Sequence, residues 1–215
     1  MSGIFVTFEG VEGGGKTTNI NFIAKKLQDA GIKILLTREP GGTEVSEAIR
    51  EILLSKELPS MHQDTELLLM FAARAEHFQN KILPALAQGL WVLCDRFTDA
   101  SYAYQGGGRG IAMDRIATLE NWVQGDCRPD YTFLFDLDAE TGLSRVRNRG
   151  EIDRIEQENI DFFNRIRAKY LEMAAQYSQR YRIINAQVAL HQVQHQVSSV
   201  LNDILAKHPV SSDLK

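Results

Sequence analysis

Several things are missing from this sequence, and each absence removes a class of function. No apolar run approaches the ~18 residues that a membrane span needs. The opening stretch, Met1 to Val6, has no basic segment leading into a long apolar core, so it is not expected to act as a secretory signal. Cysteine is scarce: Cys94 and Cys127 stand far apart with no second pair, which suggests reduced thiols in a cytoplasmic protein rather than a disulfide framework. The histidines make no ligand constellation. His191 and His195 are four apart, but no third ligand completes a metal site. Positive charge is not in excess, since 24 Lys and Arg face 28 Asp and Glu for a net charge of −4. That balance argues against a generic electrostatic grip on nucleic acid or on an anionic membrane. There is no internal repeat, low-complexity tract or Pro/Gly/Ser linker to divide the chain.

What is present is a regular alternation of short apolar runs with longer helical stretches. Runs at 4–8, 33–37, 91–94, 131–135 and 182–184 are continuously rather than alternately hydrophobic, as strands of a parallel sheet covered on both faces must be. Helices are expected at roughly 18–30, 44–55, 65–88, 113–124, 139–149, 157–179 and 189–206. The fold expected is α/β: a five-stranded parallel sheet with helices on both faces, in one domain over residues 1–206 with a flexible tail at 207–215.

The first run leads into Gly10-Val11-Glu12-Gly13-Gly14-Gly15-Lys16-Thr17, which matches G-x-x-x-x-G-K-[ST] directly after a strand and at the opening of a helix. Glycines let successive backbone N–H groups turn inward onto phosphate oxygens. Lys16 adds a full charge for the β and γ phosphates, and the Thr17 hydroxyl can take a Mg²⁺ coordination site. The helix that starts near Thr18 points its positive end at the same phosphates. The fold is therefore read as P-loop NTPase-like, with a nucleoside triphosphate site over residues 10–18.

A second signal is the third apolar run, which delivers Asp95 and Arg96 to the carboxyl end of a core strand, where α/β sheets bind ligands. Asp95 suits Mg²⁺, directly or through water, and Arg96 suits a phosphate held by paired hydrogen bonds. Asp136 also ends an apolar run, but with Leu137 beside it a capping or loop role is expected.

Four segments together resemble the bacterial thymidylate kinases: Phe8 to Thr18; Thr37-Arg38-Glu39-Pro40-Gly41-Gly42-Thr43; Cys94-Asp95-Arg96-Phe97 with Tyr104 to Gly110; and Arg149-Gly150 with Asp153 to Glu158. They come in the family's order and spacing over about residues 3–205. The resemblance implies ATP-dependent phosphorylation of dTMP to dTDP by a homodimer. By position, Arg96 resembles the arginine on the dTMP phosphate, and Asp95 the carboxylate beside the metal and the transferring group. Arg74 resembles the arginine that bonds the thymine ring, and Glu12 the carboxylate that meets the sugar 3′-hydroxyl. Ser101 and Gln105 match positions lining the base pocket, while Glu39 and Arg50 match positions near the acceptor nucleotide. Where the family often stacks an aromatic on thymine, this chain has Met70 with Phe71 beside it. The two point about 100° apart on a helix, so only one can face the base.

Some family members carry an arginine in the phosphate loop where this chain has Gly13; those without it resemble this chain and carry lid arginines instead. A lid is expected at about 145–158. Arg145, Arg147, Arg149 and Arg154 could form only a solvated helix end beside Glu151, Asp153 and Glu156. Phosphoryl transfer, however, needs cations that the loop supplies only through Lys16, which favours a catalytic role for Arg149 or Arg154. Gly106-Gly107-Gly108 reads as a flexible turn at the pocket rim. Three rival functions fit less well, and one of them, an ATPase motor acting on nucleic acid, sits poorly with the acidic charge and the small size. A kinase for another nucleotide acceptor is disfavoured by the Tyr-Gln-Gly and Arg-Glu-Pro segments. A GTP-driven switch is disfavoured because D-x-x-G is absent and Asn80-Lys81 lacks the Asp that reads guanine.

Overall fold

A computed structural model describes residues 3–150 and 152–208, except for the side chain of Arg149. Strands β1 (Phe5–Glu9), β2 (Ile34–Arg38), β3 (Trp91–Asp95), β4 (Tyr131–Asp136) and β5 (Tyr181–Asn185) form one sheet in the order β2-β3-β1-β4-β5. Every pairing is parallel, as the unbroken hydrophobicity of the runs requires. The three central strands are buried almost throughout, while the edge strands β2 and β5 leave Leu36 and Ile183 exposed. Alternation along β1 sends Val6 and Phe8 into a core with Ile20, Ile23 and Leu27, while Phe5 joins Phe78, Ile82 and Phe97 in a separate cluster.

The helices are α1 (Lys16–Asp29), α2 (Glu44–Leu54), α3 (Gln63–His77), α4 (Leu83–Ala87), α5 (Thr98–Ser101), α6 (Met113–Gln124), α7 (Ala139–Arg149), α8 (Ile160–Gln176) and α9 (Leu190–Lys207). Side-chain oxygens start three of them: Thr43 accepts from the Ser46 N–H, Asp138 from Thr141 and Asn159 from Phe162.

Three expectations need correction. The helix expected over 65–88 is interrupted by a wide π turn at Phe78–Ile82. Pro84 follows it, and a proline ring has no N–H to give and clashes with the carbonyl four residues back, a conflict that a widened turn absorbs. Gly106-Gly107-Gly108 is no flexible turn but the end of a second π segment, Tyr102–Gly108. A Cβ at Gly107 would press on Lys169, and one at Gly108 on the Phe162 ring, so these glycines let the segment lie directly on α8. The first two residues of the expected tail are part of the fold: α9 includes Lys207, and His208 lies 3.0 Å from the Tyr131 hydroxyl and edge-on to Trp91. Residues 209–215 lie outside the described residues.

Candidate active site

The loop between β1 and α1 takes the shape that its glycines permit. Gly10, Gly13 and Gly15 all have positive φ, at 129°, 74° and 72°. A Cβ on Gly13 would collide with the backbone of Gly142 in α7, so the loop and α7 touch through two glycines. No side chain caps the start of α1, so its first N–H groups stay open toward the loop. Lys16 is buried and folds back, donating to the carbonyls of Gly10 at 3.1 Å and Val11 at 2.9 Å. Burial, and then the nearby Arg96 charge, lower its pKa to about 8. Glu12 to Thr18 line a cavity of about 590 Å³ with Asp95, Arg96 and Arg145. Gly10 and Val11, expected as triphosphate binders, do not reach that cavity. Val11 is packed in the core, and the carbonyls of both turn toward Lys16.

At the end of β3 the backbone turns sharply. Arg96 has φ 66°, a left-handed conformation that an L side chain adopts at some cost. Its N–H bonds the Phe8 carbonyl at 3.0 Å, and the next N–H, of Phe97, donates to Glu9 Oε1 at 2.8 Å. The turn throws the guanidinium back across the loop, where it reaches the Gly10 carbonyl and Glu12 Oε1 and lies 4.8 Å from the centre of the Tyr104 ring. Tyr104 donates to the same Glu12 oxygen at 2.6 Å. The other oxygen, Oε2, is buried and has no partner among the described residues.

Beside the loop cavity opens a narrow cleft of about 90 Å³, and the two share a wall of Glu12, Glu39, Arg50, Arg96 and Asp153. Every position assigned to the acceptor nucleotide lines this cleft: Glu12, Glu39, Arg50, Met70, Arg74, Arg96, Ser101 and Gln105. Of the two residues competing for the base, Met70 faces the cleft while Phe71 is buried beneath the Arg74 guanidinium, 4.6 Å from it. Arg74 is 3% exposed and held on three sides: Nε to Glu39 at 2.7 Å, Nη1 to Ser101 at 3.0 Å and Nη2 to the Phe97 carbonyl. Three of its five donors are thus used, and two remain. Arg50 donates to the Pro40 carbonyl at 2.8 Å, and burial together with Arg38 lowers its pKa.

A family model for thymidylate kinase matches residues 8–197. The chain belongs to the thymidylate kinase family. A thymidylate kinase of Ectopseudomonas mendocina is 54% identical over 95% of this chain and 98% of its own, and one of Ruthia magnifica is 53% identical over 93% and 97%. The crystal structure of thymidylate kinase from Ehrlichia chaffeensis superposes with a TM-score of 0.77 at 32% identity, covering 95% of this chain and all of that one. The five-stranded α/β fold is thus that of the family.

Within this family frame some expected residues are placed elsewhere, and others give no signal in the sequence. Arg154, expected at the transferring phosphate, is turned away from the loop. Its Nε donates to the Leu53 carbonyl at 2.8 Å and its Nη2 to Glu66 at 2.7 Å. Among the described side chains of this region, the cation that does line the loop cavity is Arg145, bonded to the Gly13 and Ala186 carbonyls. The side chain of Arg149 lies outside the described residues. Asp136 pairs with Arg167 at 2.7 Å, in keeping with a structural role. Glu9, Glu66, His77 and Tyr170 stand in no motif, yet all four serve the site. His77 bridges Thr37 and Glu39 beneath the cleft, and Tyr170 donates to Glu9 Oε2 at 2.7 Å. Tyr104 has a signal, since it opens the Tyr-Gln-Gly segment.

Proposed function

We propose that this enzyme transfers the γ-phosphoryl group of ATP to dTMP, giving dTDP and ADP. The observation that carries this reading is the wall shared by the two cavities. A donor phosphate in the loop and an acceptor phosphate in the cleft would meet at Glu12, Arg50 and Arg96. A phosphate oxygen of dTMP forms the new P–O bond as the bond from the γ-phosphorus to the bridging oxygen breaks, and that oxygen leaves on ADP. Lys16 holds the β and γ phosphates, Arg96 the acceptor phosphate, and Asp95 stands beside the transferring group. Arg74 donates to O4 of thymine while Met70 packs on the ring. Glu12 Oε2, buried without a partner among the described residues, is suited to accept from the 3′-hydroxyl.

The oxygen donors here suit Mg²⁺, which keeps most of its waters and takes few protein ligands. Thr17 and Asp95 would hold it, and the described residues include no denser cluster of His, Cys, Asp or Glu that would favour another metal. When bound, the ion supplies positive charge to the phosphate oxygens.

The subtype with lid arginines is supported by the contact between Gly13 and Gly142, which leaves no room for a side chain at position 13, and by Arg145 at the loop cavity. The lid, about residues 145–158, would bring Arg149 or Arg154 to the phosphates on closing. Homodimer formation fits the exposed Leu68 on α3 and Trp122 on the neighbouring α6. No helix among the described residues is long and apolar enough to cross a membrane, and both cysteines are free, which suits a cytoplasmic enzyme.

ADP release measured over a panel of nucleoside monophosphates tests the reading. dTMP should exceed dCMP by about tenfold to a hundredfold in kcat/KM, because cytosine offers an amino donor to the donor-only Arg74. Arg74→Ala should narrow that gap. Equal use of all acceptors would defeat the assignment.

A further inference from the structure

We propose that Glu66 is a specificity-determining residue that fixes the amide of Gln105 so that its oxygen faces the acceptor cleft and reads the protonated N3 of thymine. The inference deepens the proposed dTMP reading and rests on it. Glu66, Met70 and Arg74 are spaced four apart on α3 and so share one face. Met70 and Arg74 line the cleft. Glu66, 1% exposed, stands one turn further back and receives the Gln105 Nε2 on its Oε1 at 3.0 Å.

An ionised carboxylate accepts and cannot donate, so the end of the Gln105 amide that meets it must be the NH₂. The amide oxygen is then left at the other end, on a residue that lines the cleft, and no donor from the described residues reaches it. The base therefore meets a donor from Arg74 and an acceptor from Gln105, side by side. Thymine offers the complement, an O4 acceptor beside an N3–H donor. Cytosine offers an amino donor beside a bare N3 acceptor and is mismatched at both places.

The arrangement holds only while Glu66 stays charged, and two cations ensure that. Arg109 donates to both carboxylate oxygens at 3.3 and 3.2 Å, and Arg154 adds a bond at 2.7 Å. Burial alone would raise the pKa of this carboxyl, but the bonds from Arg109, Gln105 and Arg154 outweigh it and hold the pKa below the usual range. A neutral side chain here could donate as well as accept, and the Gln105 amide could turn over. Arg154 also gives the cation turned away from the phosphate loop a use: it anchors the 152–158 segment to the residue that orients the base reader.

The test compares kcat/KM for dTMP and dCMP in the wild type, in Glu66→Gln and in the swapped pair Glu66→Gln/Gln105→Glu. An amide at position 66 can present either of its ends, so in the single variant the dTMP/dCMP ratio should fall about tenfold, the scale of one buried polar group left unmatched. In the swap, that amide donates to a carboxylate at position 105 whose second oxygen still offers only acceptance to the cleft, so the ratio should return toward wild type. A merely structural Glu66 would slow both substrates by one factor and leave the ratio unchanged, which would overturn the proposal. Should the single variant not fold, the swap decides alone, since it keeps the net charge: a retained preference for dTMP supports the role, and equal use of both nucleotides refutes it. A wild type without preference for dTMP would instead bring down the substrate reading itself.

Discussion

Arg96 donates through Nη2 to Glu12 Oε1 at 2.8 Å, and this one bond ties the residue after β3 to the middle of the phosphate loop. It makes the two oxygens of Glu12 unlike. Oε1 already serves Arg96 and Tyr104, whereas Oε2 is buried and has no partner among the described residues. A carboxylate held by one oxygen is oriented in advance for whatever the other is to meet.

Glu12→Gln should lower kcat/KM for dTMP by roughly 10–100-fold, the scale of a buried hydrogen bond to a charged group. For 3′-deoxy-dTMP the loss should be much smaller. Steady-state assays with both acceptors measure it, and equal losses would remove the sugar hydroxyl from the account.

Lys16→Ala should reduce kcat at least about 10²–10³-fold, as expected when a charged stabiliser of the transferring group is lost. The pH profile is a second check. With its pKa lowered to about 8 by burial and Arg96, Lys16 is charged below that pH and loses its charge above it. The kcat/KM for ATP, which reports the free enzyme, should be flat up to about pH 8 and then fall roughly tenfold per unit. A profile flat to pH 10 would exclude Lys16 as the titrating cation.

For the lid, Arg145→Met and Arg149→Met should each lower kcat about 10–10³-fold with little change in KM for dTMP. Arg154→Met tests two assignments at once. A fall in kcat alone indicates that it leaves Glu66 to reach the phosphates on closure. A changed dTMP/dCMP ratio at near-normal kcat indicates that it stays where the structure has it.

Glu9 links active-site geometry to stability. Its carboxyl is pushed up to about 8 by burial and by Asp99, against the opposing pull of Arg96, the Tyr170 hydroxyl and the Phe97 N–H. Between its ordinary value and about 8, the folded chain holds a proton that the unfolded chain has released, so stability falls as pH rises through that window. The slope from one proton is about 1.4 kcal/mol per pH unit. Glu9→Gln should remove it, which urea unfolding at several pH values from about 6 to 9 would reveal as a flatter curve.

Strands and site were legible in the sequence wherever local pattern decides the outcome. Asp138 caps the start of α7 through Thr141, and Gly125 and Gly150 stand with positive φ where α6 and α7 end. The loop at 10–18 and the placing of Asp95 and Arg96 at the end of β3 were legible because each directly follows a continuous apolar strand. What escaped depends on contacts distant in the chain. Gly106-Gly107-Gly108 reads as a turn until its neighbours are in place, with Met113 and Ile116 against Gly106 and Phe162, Arg165 and Lys169 of α8 against the other two. Glu66 looks like any charge on an amphipathic helix. Its burial depends on Arg109 and Arg154, which come from other parts of the fold. Glu9 precedes the loop motif and gives no sign that Tyr170 will close over it.

The contact between Gly13 and Gly142 has a consequence for inheritance. A Cβ on either residue would strike the backbone of the other's segment, at the Gly142 carbonyl or at the Glu12 carbonyl. Neither position can therefore take a side chain while the loop and α7 stay where they are, whatever residue stands at the other. A descendant that acquired a loop arginine at 13 would have to push α7 away from the loop first. That displacement would carry Arg145 with it, so a cation gained on the loop would be a cation withdrawn from the helix, and the two arrangements could not be combined by single steps.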